Sequence, residues 1–115
     1  MIGGDKGRSY ADVLNAERDT RSKDRCSFDE KIQLQRVDAS QAKGLVPGEH
    51  VALRVRRQNN VDSVICVKND SKKYLGSVAF AGVDRLIGCL NKGRKYNVTI
   101  DVIAGTAIQI QIIDA

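Results

Sequence analysis

Between Glu49 and Phe80 the sequence reads EHVALRVRRQNNVDSVICVKNDSKKYLGSVAF, and its period-2 alternation confines this stretch to β structure. Val51, Leu53 and Val55 alternate with Ala52, Arg54 and Arg56, the pattern of a strand with one buried face. A polar corner follows, Gln58-Asn59-Asn60-Val61-Asp62, and then the β-branched run Val64-Ile65-Cys66-Val67. Asn69-Asp70-Ser71 supplies turn chemistry before a short strand at Tyr74–Val78. Asparagine and aspartate at such a corner either hydrogen-bond the neighbouring backbone or reach a ligand, and the spacing alone does not separate the two.

The flanking segments extend the pattern. Residues 31–37 alternate as a first strand. Asp38 to Gly44 forms a connector, and Val46-Pro47-Gly48-Glu49 turns the chain into the strand at 50–57. After Val78 the period changes from 2 to 3.6. Val83, Leu86, Ile87 and Leu90 fall on one face of a helix over about 82–92, which Gly93 stops in the C-cap position. Strands at 96–104 and 106–113 follow, with Ala104-Gly105-Thr106 as the hairpin loop. Six antiparallel strands and one helix make a mostly β fold, a small barrel or rolled sheet. Its inward set is Ile32, Leu34, Val51, Leu53, Val55, Val98, Ile100, Val102, Ile108 and Ile110, with the helix face packed on the open end.

The chain has 115 residues, the size of one domain. Residues 1–30 read as a flexible charged arm. Ser9 to Leu14 offers an apolar stripe too short to bury much, which suits disorder or a docking peptide for a protein partner. Lys and Arg against Asp and Glu number six against seven over residues 1–30, and thirteen against seven over residues 31–115. The expected folded domain, 31–115, therefore carries the positive charge and favours a polyanionic partner.

Cys26, Cys66 and Cys89 are an odd set without CxxC spacing. Cys66 and Cys89 sit in apolar segments, where cysteine acts as a small hydrophobe, so the expectation is neither disulfide nor zinc, and a reducing cytoplasm. No apolar run reaches the roughly 18 residues of a spanning helix.

Chemistry for catalysis is missing from the pattern. His50 is the one histidine, no carboxylates pair on a strand face, and no glycine-rich phosphate loop joins a strand to a helix. The expectation is a non-catalytic protein with no cofactor and no metal. What remains is basic: Arg54 and Arg56 on one strand face with Arg57 beside them, Lys68, Lys72 and Lys73 around the second hairpin turn, and Lys92, Arg94 and Lys95 at the helix end. Such a surface binds phosphates largely by counterion release.

The order of these elements from about Ile32 to Val102 resembles the HIRAN domain, a small OB-like β-barrel. The resemblance rests on Val51-Ala52-Leu53-Arg54, the corner Asn59-Asn60-Val61-Asp62, the strand Val64–Val67, Leu75-Gly76-Ser77-Val78 and the helix at Val83–Leu90. It implies binding of DNA, single-stranded or at a 3′ end, with Asp62 at the terminal hydroxyl, Asn59 carried over in the same corner and Arg54 at a phosphate. Asn60 and Val61 stand where that family carries Pro and Tyr, and Gln35-Arg36 stands at its aromatic pair. Phosphate contacts are thus expected to outweigh base stacking. The competing expectation is a protein–protein interaction adaptor that binds no nucleic acid.

Overall fold

The computed structural model describes residues 24–115. A 3-10 turn at Asp24–Cys26 leads into β1 (Asp29–Gln33), α1 (Ala39–Ala42), β2 (His50–Gln58), β3 (Val61–Lys68), β4 (Tyr74–Val78), α2 (Val83–Asn91), β5 (Tyr96–Ala104) and β6 (Ala107–Asp114). The strands form one antiparallel sheet in the order β1-β6-β5-β2-β3-β4. The mostly β architecture expected from the alternation is present, as a rolled sheet.

Rolling brings the two edges together at one point. Leu34 N–H still donates to Ile108 on β6 (2.8 Å), but Gln35 forms an isolated bridge to Ser77 on β4, with bonds of 2.9 and 2.7 Å. The chain thus passes from one sheet edge to the other between Leu34 and Gln35. That crossing ends β1 at Gln33, four residues short of the expected 37, and Arg36 turns at φ 51°. Gly76 is required here. A Cβ on it would lie 3.0 Å from that of Leu34 and 3.3 Å from the Gln35 carbonyl. The connector beyond carries the short helix α1, which Asp38 caps by accepting from the Ser40 and Gln41 amides.

The core is aliphatic and lies inside the roll. Ile32, Leu34, Val51, Val64, Leu75, Val98, Ile100, Ile108 and Ile110 are buried, and α2 adds Leu86 and Cys89. Leu53, Val83, Ile87 and Leu90 are half-buried against the same cluster, so the register assigned to β2 stands. Gly93 terminates α2 with φ 91°, and the Arg94 amide returns to the Cys89 carbonyl.

Val55 and Val102 depart from the expected inward set: Val55 is only half-buried and lies outside the core cluster, and Val102 is 50% exposed. Ile100 pairs with Ile110 but Val102 pairs with Gln109, leaving Asp101 as an extra residue. This β-bulge reverses the alternation, so Ile103, not Val102, turns inward opposite Ile108.

Two expectations about the start of the domain are corrected. Residues 24–30 belong to the folded unit, because Phe28 is buried and stacks edge-on against Phe80 and Tyr96, and β1 begins at Asp29. The rest of the expected arm, with the Ser9–Leu14 stripe, lies outside the described residues. The three cysteines are not all reduced: Cys26 and Cys89 form a disulfide that fastens the 3-10 turn to α2, and only Cys66 is free. The cysteine argument for a reducing compartment falls with that pairing. No helix among the described residues is long and apolar enough to cross a membrane.

Candidate functional site

The Asn59-Asn60 corner is a two-residue hairpin turn. Gln58 pairs with Val61, and both asparagines have positive φ, 53° and 62°. Two consecutive left-handed residues define the type I′ turn whose twist matches paired strands, and asparagine tolerates that conformation best after glycine. The local backbone therefore accounts for the asparagine pair. Asp62, directly across from Arg57, meets it at 3.3 Å between Oδ1 and Nη1.

Arg54 and Arg56 are exposed on the outer face of β2, as the alternation requires, with Ile65 and Ser63 across from them on β3. The Arg56 guanidinium lies 5.5 Å from the centre of the Tyr74 ring, within cation–π range. Tyr74 is fixed in turn: its hydroxyl donates to the Arg36 carbonyl (2.8 Å) and lies 3.0 Å from Ser77 Oγ. Arg57, one residue on, projects from the opposite face and is occupied by Asp62.

Lys68, Lys72 and Lys73 surround the β3–β4 turn. The Lys68 amide donates to the Lys73 carbonyl and the Lys72 amide to the Lys68 carbonyl, with Lys72 at φ 61°. Lys72 and Lys73 are exposed and Lys68 is half-buried. Asp62 and Lys68 lie at opposite ends of β3, about 20 Å apart at 3.4 Å per residue. The eight residues singled out from the sequence thus occupy three places: the Asn59–Asp62 turn with Arg57, the central pair Arg54 and Arg56, and the lysine turn. They do not converge on one spot.

A cleft not legible in the sequence opens between the first half of β2 and the start of β5. β2 and β5 pair only at His50 with Thr99 and Val51 with Val98 among the described residues; beyond Val51 the strands diverge. The resulting cavity is about 500 Å³. Leu53, Leu90 and Val98 supply apolar lining, while His50, Asn69, Asn97, Arg94 and Lys95 supply polar groups. Its sequence signal was the cluster Arg94-Lys95-Tyr96-Asn97 directly after the helix stop, but only the tertiary fold sets it opposite β2.

Tyr96 belongs to the wall of this cleft and is anchored. Its hydroxyl donates to the Cys26 carbonyl, and partial burial raises its pKa above the ordinary phenol value. Arg94 lies 5.9 Å from the Tyr96 ring centre and 3.7 Å from Asp114 Oδ2, so part of its charge is met within the fold. Ion pairs among the described residues are Lys31–Asp101, Arg57–Asp62 and Arg94–Asp114. Arg54, Arg56, Lys68, Lys72, Lys73 and Lys95 have no carboxylate partner among the described residues. No group of three His, Cys, Asp or Glu side chains there is arranged to hold a metal.

No protein-family model, curated protein or solved structure matches this chain.

Proposed function

We propose that this protein is a non-catalytic nucleic-acid-binding module that holds DNA, as a single strand or at an end, on the outer face of β2 and β3. One observation carries this reading: Arg54 and Arg56 stand side by side, exposed and without a carboxylate partner among the described residues, with Arg56 laid on Tyr74. Two adjacent guanidiniums fit phosphate oxygens in fixed forks, and Lys72, Lys73 and Lys95 add charge along a backbone track. The aromatic groups contribute little stacking. Tyr74 is already faced by Arg56, and Phe80 is half-buried against Phe28. Backbone contact, insensitive to sequence, is the expected mode, consistent with the HIRAN-like order of elements. A cytoplasmic location is not part of this reading, because its ground was three reduced thiols.

Titration of labelled single- and double-stranded DNA at two salt concentrations tests it. Affinity should fall steeply with salt, and Arg54→Ala or Arg56→Ala should weaken all sequences alike. Absence of binding to either form at low salt removes the reading. The adaptor reading is favoured by a different observation, the unpaired length of β2 beside the cleft.

A further inference from the structure

The unpaired length of β2 has a definite chemistry. The two-residue turn makes Gln58 and Val61 the terminal pair, in which each residue donates to and accepts from the other across the ladder. Alternation then turns the main-chain groups of Arg56, Arg54 and Ala52 toward β3, and those of Leu53, Val55 and Arg57 toward the opposite side. The far end gives the same phase. Ile100 N–H donates to Glu49 O at 2.9 Å, so Val51 bonds to Val98, and Leu53 is the next residue due to bond across to β5. Among the described residues that partner is missing, and the cleft occupies its place.

We propose that this open edge of β2 takes an extended acidic peptide of a partner protein by strand addition. The pleat dictates the partner's sequence. A strand laid about 4.8 Å from β2 repeats its facing, so a residue opposite Leu53 points into the cleft over Leu53 and Leu90. One opposite Val55 lies beyond the cleft on the same face as half-buried Val55, and both should be apolar. Residues opposite Arg54 and Arg56 point to the outer face, where those guanidiniums are exposed, and should be Asp or Glu. Lys95 on the far wall adds a third cation facing the inserted strand. Like charges facing one another across paired strands are destabilising, so Arg54 and Arg56, which have no carboxylate partner among the described residues, disfavour basic strands. The occupant is therefore a segment that alternates apolar and acidic residues. This goes beyond the nucleic-acid reading. It shares Arg54, Arg56 and Lys95 with that reading, but not the Leu53 and Val55 amides or the apolar lining of the cleft.

The test is amide exchange on the full chain with a capped peptide that alternates valine and glutamate. At a peptide concentration about ten times its Kd, the Leu53 and Val55 amides should exchange about tenfold more slowly. N-methylation of alternate peptide nitrogens should abolish binding in one phase and spare it in the other, an effect that charge attraction alone does not produce. The same peptide with lysine for glutamate should not bind. Equal loss in both N-methylated phases, or no slowing at Leu53 and Val55, overturns the proposal. Two further outcomes overturn it. Slowing that appears without peptide and grows with protein concentration assigns the edge to a second copy. Slowing without peptide that vanishes on deletion of residues 1–23 assigns it to this chain's own N-terminal segment. DNA binding that leaves both amides unprotected, with no peptide bound, sinks this proposal and leaves the nucleic-acid reading intact; peptide binding without DNA binding does the reverse.

Discussion

Arg57 Nη1 and Asp62 Oδ1 lie 3.3 Å apart across the base of the Asn59-Asn60 turn, so the carboxylate this corner would offer a ligand already has a cation. Both side chains reach solvent, and an exposed pair of this kind contributes about 0–1 kcal/mol. Its consequence is electrostatic more than structural: one of the three β2 arginines is neutralised.

Asp62→Asn should therefore strengthen DNA binding while leaving stability nearly unchanged. Removing the carboxylate takes one negative charge from the DNA-binding hairpin, while Arg57, on the opposite face, adds no phosphate contact. The gain should therefore be largest at low salt and fade as salt screens it. Salt-dependent titration of the variant beside the unaltered chain measures this. If the substitution instead removes a preference for a 3′ hydroxyl over a 3′ phosphate, the corner reads strand ends.

The alternation made most of the fold legible, because a half-buried strand must repeat every second residue. It failed where one extra residue entered a strand. Asp101 reverses the facing of Val102, and nothing local in Asn97–Ala104 marks the bulge. The same limit explains the cysteines. Cys26 and Cys89 are 63 residues apart in sequence, and only the packing of the first turn on α2 brings their Cα atoms to 5.6 Å. For the site, the hairpin arginines were visible as neighbours in one strand. The cleft was not, since it arises where β2 and β5 stop pairing, a relation between segments more than 40 residues apart.

Glycines 76 and 88 should respond oppositely to alanine. A Cβ at Gly76 meets Leu34 at 3.0 Å and the Gln35 carbonyl at 3.3 Å, at the crossing that joins the sheet edges. Relieving it requires backbone movement, so Gly76→Ala should cost about 1–3 kcal/mol. Gly88 is exposed within α2, and a Cβ there meets nothing within 4 Å. Gly88→Ala should stabilise by up to about 1 kcal/mol through helix propensity. Denaturant titration of both variants checks the pair. An unchanged midpoint for Gly76→Ala would show that β1 does not cross to β4 there.

Acid should unfold the protein partly through Asp114. Its carboxylate accepts from Ser27 Oγ (2.7 Å) and the Phe28 amide (3.1 Å), with Arg94 at 3.7 Å, and these hold its pKa below the usual carboxylate value, the Ser27 bond foremost. A group depressed in the folded state contributes stability that is complete above its unfolded pKa of about 4 and is lost as pH falls through the lower folded value. Asp114→Asn and Ser27→Ala should lower Tm at neutral pH and flatten the decline of Tm below about pH 4. Some slope should persist, because the Ser40 hydroxyl bond depresses Asp38 in the same direction. Thermal melts from pH 7 to pH 2 provide the measurement, and parallel curves for Asp114→Asn and the unaltered chain would refute the assignment.

Thiol chemistry should sort the three cysteines into two behaviours. The Cys26–Cys89 disulfide closes a long loop and fastens the 3-10 turn to α2, so Cys26→Ser with Cys89→Ser should cost about 2–5 kcal/mol. Dithiothreitol should lower the unfolding midpoint of the unaltered chain toward that of the double variant, and should not shift the variant itself. Cys66 is fully buried in β3, and burial pushes its thiol up to about 12, leaving almost no thiolate at neutral pH. Alkylation of the native oxidised protein should therefore label no cysteine among residues 24–115. Denaturation without reductant should expose Cys66 alone, and reduction should expose all three. Mass spectrometry after each step counts the labels. Rapid labelling of Cys26 or Cys89 in the native, unreduced protein would show that the pair is open and that the first turn is held by packing around Phe28 and by the hydrogen bond from Tyr96 to the Cys26 carbonyl.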